Sequence, residues 1–439
     1  MSFSKLVSIG IVQAPITDMN YRIRMWMSMC QVNDFLREFI VSRSLEENLV
    51  FALEGHCKKN SQRSGRHLAI HKSWDRDKNV FESIDFSRLR SLTVFGEWES
   101  FFISENMGLL QVMDLEDESS GVTNGDVDKT VKLLPRLKFL SLRRCRVISH
   151  LPNSLGDLKH LQTLDIRETS VIKLPKSIIK LEKLQCFRAG TAVILDTDSS
   201  TGTFGSLPVA AVANPSTSAA PMSRPCATLV SCLSKLSIHN GPHNGVKVPR
   251  GIVKLSNLHT LGVVSIAAGT LELSNLTQLH KLVVSGINRK NREKFLSEIS
   301  RLHHLESLSL IMQANRDNEE DSAGCTSVAD IMSPLEKLRS LKLYGLVDRL
   351  PTWIMQMCLQ LPRLEKLDLP MKKLPQQDLD FVLTLPYLRS LRLRLEEFQD
   401  GELHFGWSIA QSCGGYMIDF LEIAFNSRLQ ASEESVEMP

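Results

Sequence analysis

Leucines spaced as L-x-x-L-x-L recur along most of this chain and constrain its fold more than any other feature. Successive side chains of an extended strand point to opposite faces. In one copy, Leu164 and Ile166 therefore point inward, while Thr163, Asp165 and Arg167 point to the other face. The clearest copies are Leu137/Leu140/Leu142, Leu161/Leu164/Ile166, Leu258/Leu261/Val263, Leu305/Leu308/Leu310, Leu338/Leu341/Leu343, Leu364/Leu367/Leu369 and Leu388/Leu391/Leu393.

Most copies follow one another after about 20 to 29 residues, which is the period of leucine-rich repeats. The repeats begin near Leu68 and continue to a last copy at Leu421. Each repeat is a strand with a return segment, and stacked repeats bury one continuous core. The sequence therefore predicts an α/β fold, a leucine-rich-repeat solenoid or horseshoe whose strands line a concave surface.

One long step interrupts this period, between the copy at Leu184 and a copy at Leu233. Residues 196–228 within it are rich in Ser, Thr, Ala, Pro and Gly, which predicts a disordered insert. The predicted domains around it are an N-terminal block of repeats over residues 61–195, a C-terminal block over 229–428 and an acidic tail over 429–439.

Leu-Pro pairs follow several strands after about ten residues. The leucine is expected to fill the core, while the proline, with its fixed φ, holds an extended return path. The pairs are Leu151-Pro152, Leu174-Pro175, Leu350-Pro351 and Leu374-Pro375.

The composition indicates a cell compartment and a class of partner. The chain has 439 residues and a formal net charge of +3, too small a bias to indicate a nucleic-acid partner. Its nine cysteines form no C-x-x-C pair, which indicates reduced thiols in a cytoplasmic protein. No stretch reaches about 18 uninterrupted apolar residues, so we expect no membrane span.

Four stretches together resemble the C-terminal half of plant intracellular nucleotide-binding leucine-rich-repeat immune receptors, of the coiled-coil class abundant in grasses. They are residues 30–39 (CQVNDFLREF), 66–70 (RHLAI), 86–92 (FSRLRSL) and the regular repeats of 137–184. The first resembles the end of that family's winged-helix subdomain. The resemblance thus implies that residues 1–60 are a short winged-helix remnant.

Residues Asn33 and Asp34 match the family's Met-His-Asp nucleotide-sensing motif, with Asn in place of His, at the start of a helix predicted over 31–43. Asn donates hydrogen bonds but does not titrate near neutral pH. The chain contains no G-x-x-x-x-G-K-[ST] loop to cradle phosphates. Although the complete family binds ADP or ATP, we therefore expect no cofactor in this chain, and Asn33 and Asp34 also fit an ordinary helix cap.

The resemblance implies a role in plant innate immunity, as the recognition and autoinhibitory part of a disease resistance receptor. The implied partner is a protein: a pathogen effector, a guarded host protein or another receptor. Alternatives are a leucine-rich-repeat substrate adaptor for ubiquitin ligation and a nonfunctional truncated paralogue. No nucleophile–base arrangement, paired carboxylates or metal cluster indicates an enzyme.

Partner-binding residues are expected on the concave strand positions, where Arg and aromatic side chains form binding hot spots. Arg143, Arg167 and Arg392 should share this surface if the strand register is right. The candidates are Phe139, Arg143, Asp165, Arg167, Lys342, Tyr344, Lys366, Asp368, Arg392 and Arg394.

Overall fold

The structure is a computed structural model, and its contacts divide the chain into two units. One comprises Met1–Val50 and Val193–Asn240, and the other Phe51–Ala192 and Gly241–Pro439. The residues that the structure describes are 12–13, 31–32, 49–57, 64–116, 121–190, 245–266, 272–288, 290–312, 335–344, 350–371, 375–395 and 420–425.

In the first unit, strand β1 (Val12–Gln13) pairs antiparallel with strand β2 (Gln31–Val32). The helix predicted over 31–43 is therefore wrong at its first two residues, because they pair as a strand. Asn33 and Asp34 lie outside the described residues, and the winged-helix assignment of 1–60 stays a prediction.

The described strands from Val50 onward form one fifteen-stranded sheet. From β4 onward the pairings are parallel, which confirms the leucine-rich-repeat solenoid. The sheet starts at Val50, earlier than the predicted boundary at residue 60. The strands are β3 (Val50–Leu53), β4 (His67–Ile70), β5 (Ser91–Phe95), β6 (Val112–Glu116), β7 (Phe139–Ser141), β8 (Thr163–Asp165), β9 (Cys186–Arg188), β10 (Val246–Lys247), β11 (Thr260–Ser265), β12 (Lys281–Ile287), β13 (Ser307–Met312), β14 (Ser340–Tyr344), β15 (Lys366–Met371), β16 (Ser390–Leu395) and β17 (Phe420–Phe425).

The return segments contain short helices. Pro152 and Pro175 have extended backbones and precede 3-10 helices, while Pro351 and Pro375 occupy the same position before α-helices, as the Leu-Pro pairs predict. The α-helices are α1 (Lys78–Glu82), α2 (Asn124–Leu133), α3 (Arg292–Ile299), α4 (Thr352–Leu359) and α5 (Gln376–Leu383). The 3-10 helices are Ser100–Phe102, Glu105–Met107, Asn153–Asp157, Lys176–Lys180 and Ile252–Lys254.

The core lies between the strands and their return segments, and the repeated leucines fill it. Leu140, Leu164, Leu261 and Leu341 belong to strands β7, β8, β11 and β14 and are 0% exposed. Full burial of one such side chain contributes about 1.5–3 kcal/mol, so the repeated leucines dominate the stability of the stack.

A backbone ladder links each repeat to the next at the start of its strand. The carbonyl of Lys138 accepts hydrogen bonds from the N–H groups of Gln162 (2.7 Å) and Thr163 (2.9 Å). In the next step, the carbonyl of Gln162 accepts hydrogen bonds from the N–H groups of Gln185 and Cys186. The pattern recurs along the sheet from Arg66 to Ser390 and fixes the register of the strands.

Strand β9 pairs directly with β11, in register at Cys186↔Thr260 and Phe187↔Leu261. Strand β10 pairs with the later residues of β11, at Val246↔Val264. The copy predicted at Leu233, the insert predicted over 196–228 and the predicted start of the C-terminal block at 229 lie outside the described residues and stay predictions.

Candidate functional site

The face of the sheet opposite the leucine core, called here the outer face, carries the predicted partner-binding residues. Parallel, in-register strands place equivalent residues about 4.8 Å apart in rows across the sheet. In the first half, one row runs Thr93, Asp114, Ser141, Asp165, Arg188. In the second half, the equivalent row runs Ser309, Lys342, Asp368, Arg392, Glu422.

Asp165 lies at the centre of the first charged group and is only 5% exposed. Its Oδ2 accepts a hydrogen bond from Arg167 Nη2 at 2.7 Å, and its Oδ1 accepts one from the Arg167 backbone N–H at 3.1 Å. Arg188 Nη1 lies 3.8 Å from the same Oδ2. The carboxylate is therefore covered by two arginines, and the longer side chains form the outer layer.

Glu168 joins two further arginines next to this group. Its Oε1 lies 3.3 Å from Arg143 Nε, and its Oε2 lies 3.1 Å from Arg144 Nε. Both Arg144 (φ 64°) and Glu168 (φ 60°) have left-handed backbones, at equivalent positions just after strands β7 and β8. This conformation is costly for residues other than glycine, and such residues cluster at functional sites.

Asp114 occupies the same row, two strands from Asp165. Burial raises the pKa of its carboxyl above the ordinary value, and the negative charge of Asp165 raises it further. Hydrogen bonding to Ser141 and the charge of Arg143 act in the opposite direction. The first half of the outer face thus holds one carboxyl that is less acidic than usual beside a layer of arginines.

A second charged group lies toward the C-terminus. Asp368 is 6% exposed, and its Oδ2 lies 3.5 Å from Nη1 of Arg392, on the adjacent strand. Lys342 and Tyr344 are half-buried beside it, and Lys366 is exposed. As at Asp165, a short carboxylate lies low on the sheet and longer cationic side chains lie around it.

Between the two charged groups the outer face is mixed. Val263, Val283 and Ile311 are buried, yet they are not members of the leucine core. Their neighbours in the rows include Ser285 and Ser309. The exposed Lys281 begins strand β12 and lies in the same row as Lys366, so this middle region also carries a cation.

The side chains of Arg143, Arg167 and Arg392 are 22%, 19% and 15% exposed, so none of the three is fully buried in the core, as the predicted register requires. That all three belong to one binding surface stays a prediction. Phe139 is also half-buried, and the side chain of Arg394 lies outside the described part of the structure. One expectation is corrected: Asp165 and Asp368 are buried beneath arginines, so they are not exposed contact residues.

Sequence reasoning missed Arg144, Glu168 and Arg188. Arg188 could have been found, because it occupies the row position of Asp165 one repeat later. Arg144 and Glu168 could not, since a period-two pattern ends with the strand and says nothing about the left-handed residue after it.

Among the described residues, no group of three or more His, Cys, Asp or Glu side chains is arranged to hold a metal ion. The described cysteines Cys57, Cys145, Cys186 and Cys358 are free thiols, and burial raises the pKa of Cys145 and of Cys358 to about 12. Within the described part of the chain, no helix has the length and apolarity needed to cross a bilayer.

This architecture agrees with the relatives of the sequence. Residues 88–219 and 225–415 match the family described as leucine-rich repeat region. The chain belongs to the leucine-rich-repeat proteins.

Its repeats are of the type found in plant disease resistance proteins. The chain is 30% identical over 364 residues to disease resistance protein Pik-2 of Oryza sativa subsp. japonica. This match covers 82% of the chain and 33% of Pik-2. It is also 34% identical over 154 residues to disease resistance protein RGA4 of the same organism. That match covers 35% of the chain and 14% of RGA4. The chain thus spans about one third of the length of Pik-2.

Solved structures with a similar arrangement include an internalin (inlF) from Listeria monocytogenes. It is 14% identical, has a TM-score of 0.44, and the match covers 82% of this chain and 87% of that one.

Proposed function

We propose that this chain is the recognition part of a plant disease resistance receptor and binds a protein ligand through the outer face of its sheet. The ligand is a pathogen effector, a guarded host protein or another receptor. The single observation that carries the proposal is the outer face itself, with in-register rows that hold arginines, lysines and two aromatic residues, Phe139 and Tyr344. Such residues dominate binding energy at protein interfaces.

We propose further that the protein acts in the cytoplasm, without enzymatic activity, and that the same repeats hold a receptor inactive until the ligand binds. Two matches to rice disease resistance proteins and the buried, closely packed repeats support this role. A solenoid offers an extended surface, and a ligand and an inhibitory contact can compete for it.

Cross-linking tests the binding surface directly. The protein would be cross-linked through lysines to its candidate ligand, and the linked peptides identified by mass spectrometry. We expect links from Lys342 and Lys366, on the outer face. Links confined to Lys180 and Lys254, which are exposed on the return segments, would contradict the proposal.

Charge reversal then tests the role. Lys342→Glu with Lys366→Glu should weaken ligand binding about tenfold or more, because both cations lie in the proposed contact. Lys180→Glu with Lys254→Glu changes the net charge equally on the other side of the repeats and should leave binding unchanged. Equal weakening in both double variants would contradict an outer-face contact.

A further inference from the structure

Four arginines from three successive repeats gather where strands β7, β8 and β9 end. They are Arg143, Arg144, Arg167 and Arg188, and we call them the arginine cluster. The two carboxylates among them are less accessible: the side chain of Asp165 is 7% exposed, against 49% for Arg188. Glu168 is 18% exposed, against 27% for Arg144. A partner that approaches this surface therefore meets positive charge first.

The carboxylates also hold the arginines in place. Asp165 Oδ2 binds Arg167 Nη2, while Glu168 presents one oxygen to Arg143 and the other to Arg144. A guanidinium carries five N–H donors in a rigid plane, so an arginine fixed by one carboxylate is well placed to contact a second. Because the side chains are already ordered, binding costs less conformational entropy than it would for mobile arginines.

Two exposed apolar side chains lie in the loops that follow the same strands. Val147 and Ile172 are each 63% exposed. Their loops are joined: the N–H of Ser170 donates to Ile148 O at 2.9 Å, and its hydroxyl donates to Arg146 O at 2.6 Å. These loops thus present β-branched apolar groups to solvent, three residues after Arg144 and four residues after Glu168 along the chain, and we call them the apolar rim.

We propose that the arginine cluster and its apolar rim bind an acidic segment of a partner protein, one in which Asp or Glu residues alternate with apolar side chains. This inference rests on the proposed function and specifies which part of the outer face the ligand contacts. Carboxylates of the segment pair with Arg188 and Arg143, and its apolar side chains cover Val147 and Ile172. The presence of Asp165 and Glu168 disfavours nucleic acid, whose phosphates carry a continuous high density of negative charge.

Fluorescence anisotropy on the full chain tests this proposal with three labelled probes: a short Glu/Leu peptide, a Gln/Leu peptide of equal length and a single-stranded DNA oligonucleotide. We expect the Glu/Leu peptide to bind most tightly. Equal binding of the Gln/Leu peptide, or tighter binding of the oligonucleotide, would overturn the proposal.

Matched variants locate the contact. Arg143→Gln with Arg188→Gln should weaken binding of the Glu/Leu peptide about tenfold, and Val147→Ser with Ile172→Ser should weaken it without removing charge. The second pair is highly exposed, so it keeps the test valid if the arginine variant folds poorly. Lys180→Gln with Lys254→Gln removes the same charge from the return segments and should leave affinity within about twofold. Equal losses for all three pairs would overturn the assignment.

The two proposals fail in different ways. If the cross-linked ligand contacts Lys342 and Lys366 while the arginine-cluster variants bind it normally, the proposed function stands and this inference is wrong. If the ligand contacts only the return segments, the proposed function fails as well.

Discussion

The backbone carbonyl of Gln185 accepts a hydrogen bond from the N–H of His259 at 2.7 Å, although a long stretch of chain separates them. The same oxygen accepts a second hydrogen bond, from the N–H of Thr260 at 3.0 Å, and the remaining described steps of the ladder have the same pair of bonds. Gly190 and Gly245 lie on either side of residues 191–244, which are outside the described part of the chain, and a Cβ at either glycine would meet strand β11. Strands β9 and β11 therefore pair as neighbours although they are far apart in the sequence.

Deletion of residues 193–240 should leave the stack of repeats folded. The residues that remain between Gly190 and Gly245 are enough to connect two points beside the same strand, and loop length has a weak effect on stability. We expect the melting temperature to change by less than about 2 °C, which corresponds to roughly 1 kcal/mol or more for a chain of this length. Calorimetry of the deletion variant and the parent chain measures this, and a much larger drop would show that the deleted residues support the sheet.

Gly190 and Gly245 should each be destabilised by an added side chain. A Cβ at Gly245 would lie 2.3 Å from Ser285 Oγ and 2.8 Å from the backbone N of Ser265. At Gly190, where φ is +125°, it would lie 2.8 Å from a methyl of Val263. Overpacking of this kind costs about 1–3 kcal/mol, so Gly245→Ala and Gly190→Ala should each lower stability by that amount in denaturant unfolding.

Gly108→Ala is the control for these two substitutions. Gly108 has a helical backbone (φ −60°), and a Cβ there would have no neighbour within 4 Å. Its unfolding midpoint should stay close to that of the parent chain. Similar midpoints for all three alanine variants would mean that the close contacts at β11 relax without cost.

The strands and their order in the stack could be predicted from the sequence. Leucines spaced as L-x-x-L-x-L report which side chains a strand buries, and the copies at Leu137, Leu161, Leu258, Leu305, Leu338, Leu364 and Leu388 each lead into a described strand. The spacing did not show that β9 and β11 pair directly across the long step. Strand pairing depends on contacts between residues distant in the sequence, and a local pattern does not contain them.

The candidate site shows a similar limit. Alternation placed Asp165 on the outer face correctly, yet it could not show that the carboxylate is buried. That burial depends on side-chain length, because Arg167 and Arg188 extend past the shorter Asp165 and cover it. The accessible charge of such a face is therefore more positive than its sequence suggests.

Asp165→Asn should destabilise the chain by about 1–3 kcal/mol, the usual cost of removing one partner of a buried charged hydrogen bond. The amide keeps an acceptor for the Arg167 backbone N–H but leaves the Arg167 guanidinium without its counterion. Asp157→Asn makes the same chemical change at an exposed position and should stay within about 0.5 kcal/mol of the parent. Chemical unfolding of the three proteins decides the matter, and equal stabilities would show that the pair contributes nothing.

Asp114→Asn should stabilise the folded chain at neutral pH, in contrast to Asp165→Asn, and the size of this effect should depend on pH. Burial raises the pKa of Asp114 in the folded chain above its ordinary value of 3.8, so the folded state disfavours the charged carboxyl. Below pH 3.8 the carboxyl of Asp114 is mostly protonated in both the folded and the unfolded chain, so it does not oppose folding. Stability is then lost as the pH rises through the raised pKa, because the folded state must give up a proton it holds more tightly than the unfolded state does.

The asparagine variant avoids this loss. It should match the parent below the unfolded pKa and be more stable at neutral pH, by less than about 1 kcal/mol because water still screens a half-buried carboxyl. Melting temperatures of both proteins between acidic and neutral pH give the difference directly. A constant difference across that range would exclude Asp114 titration as its cause, and a less stable variant at neutral pH would show that the charged form of Asp114 is favoured in the folded chain.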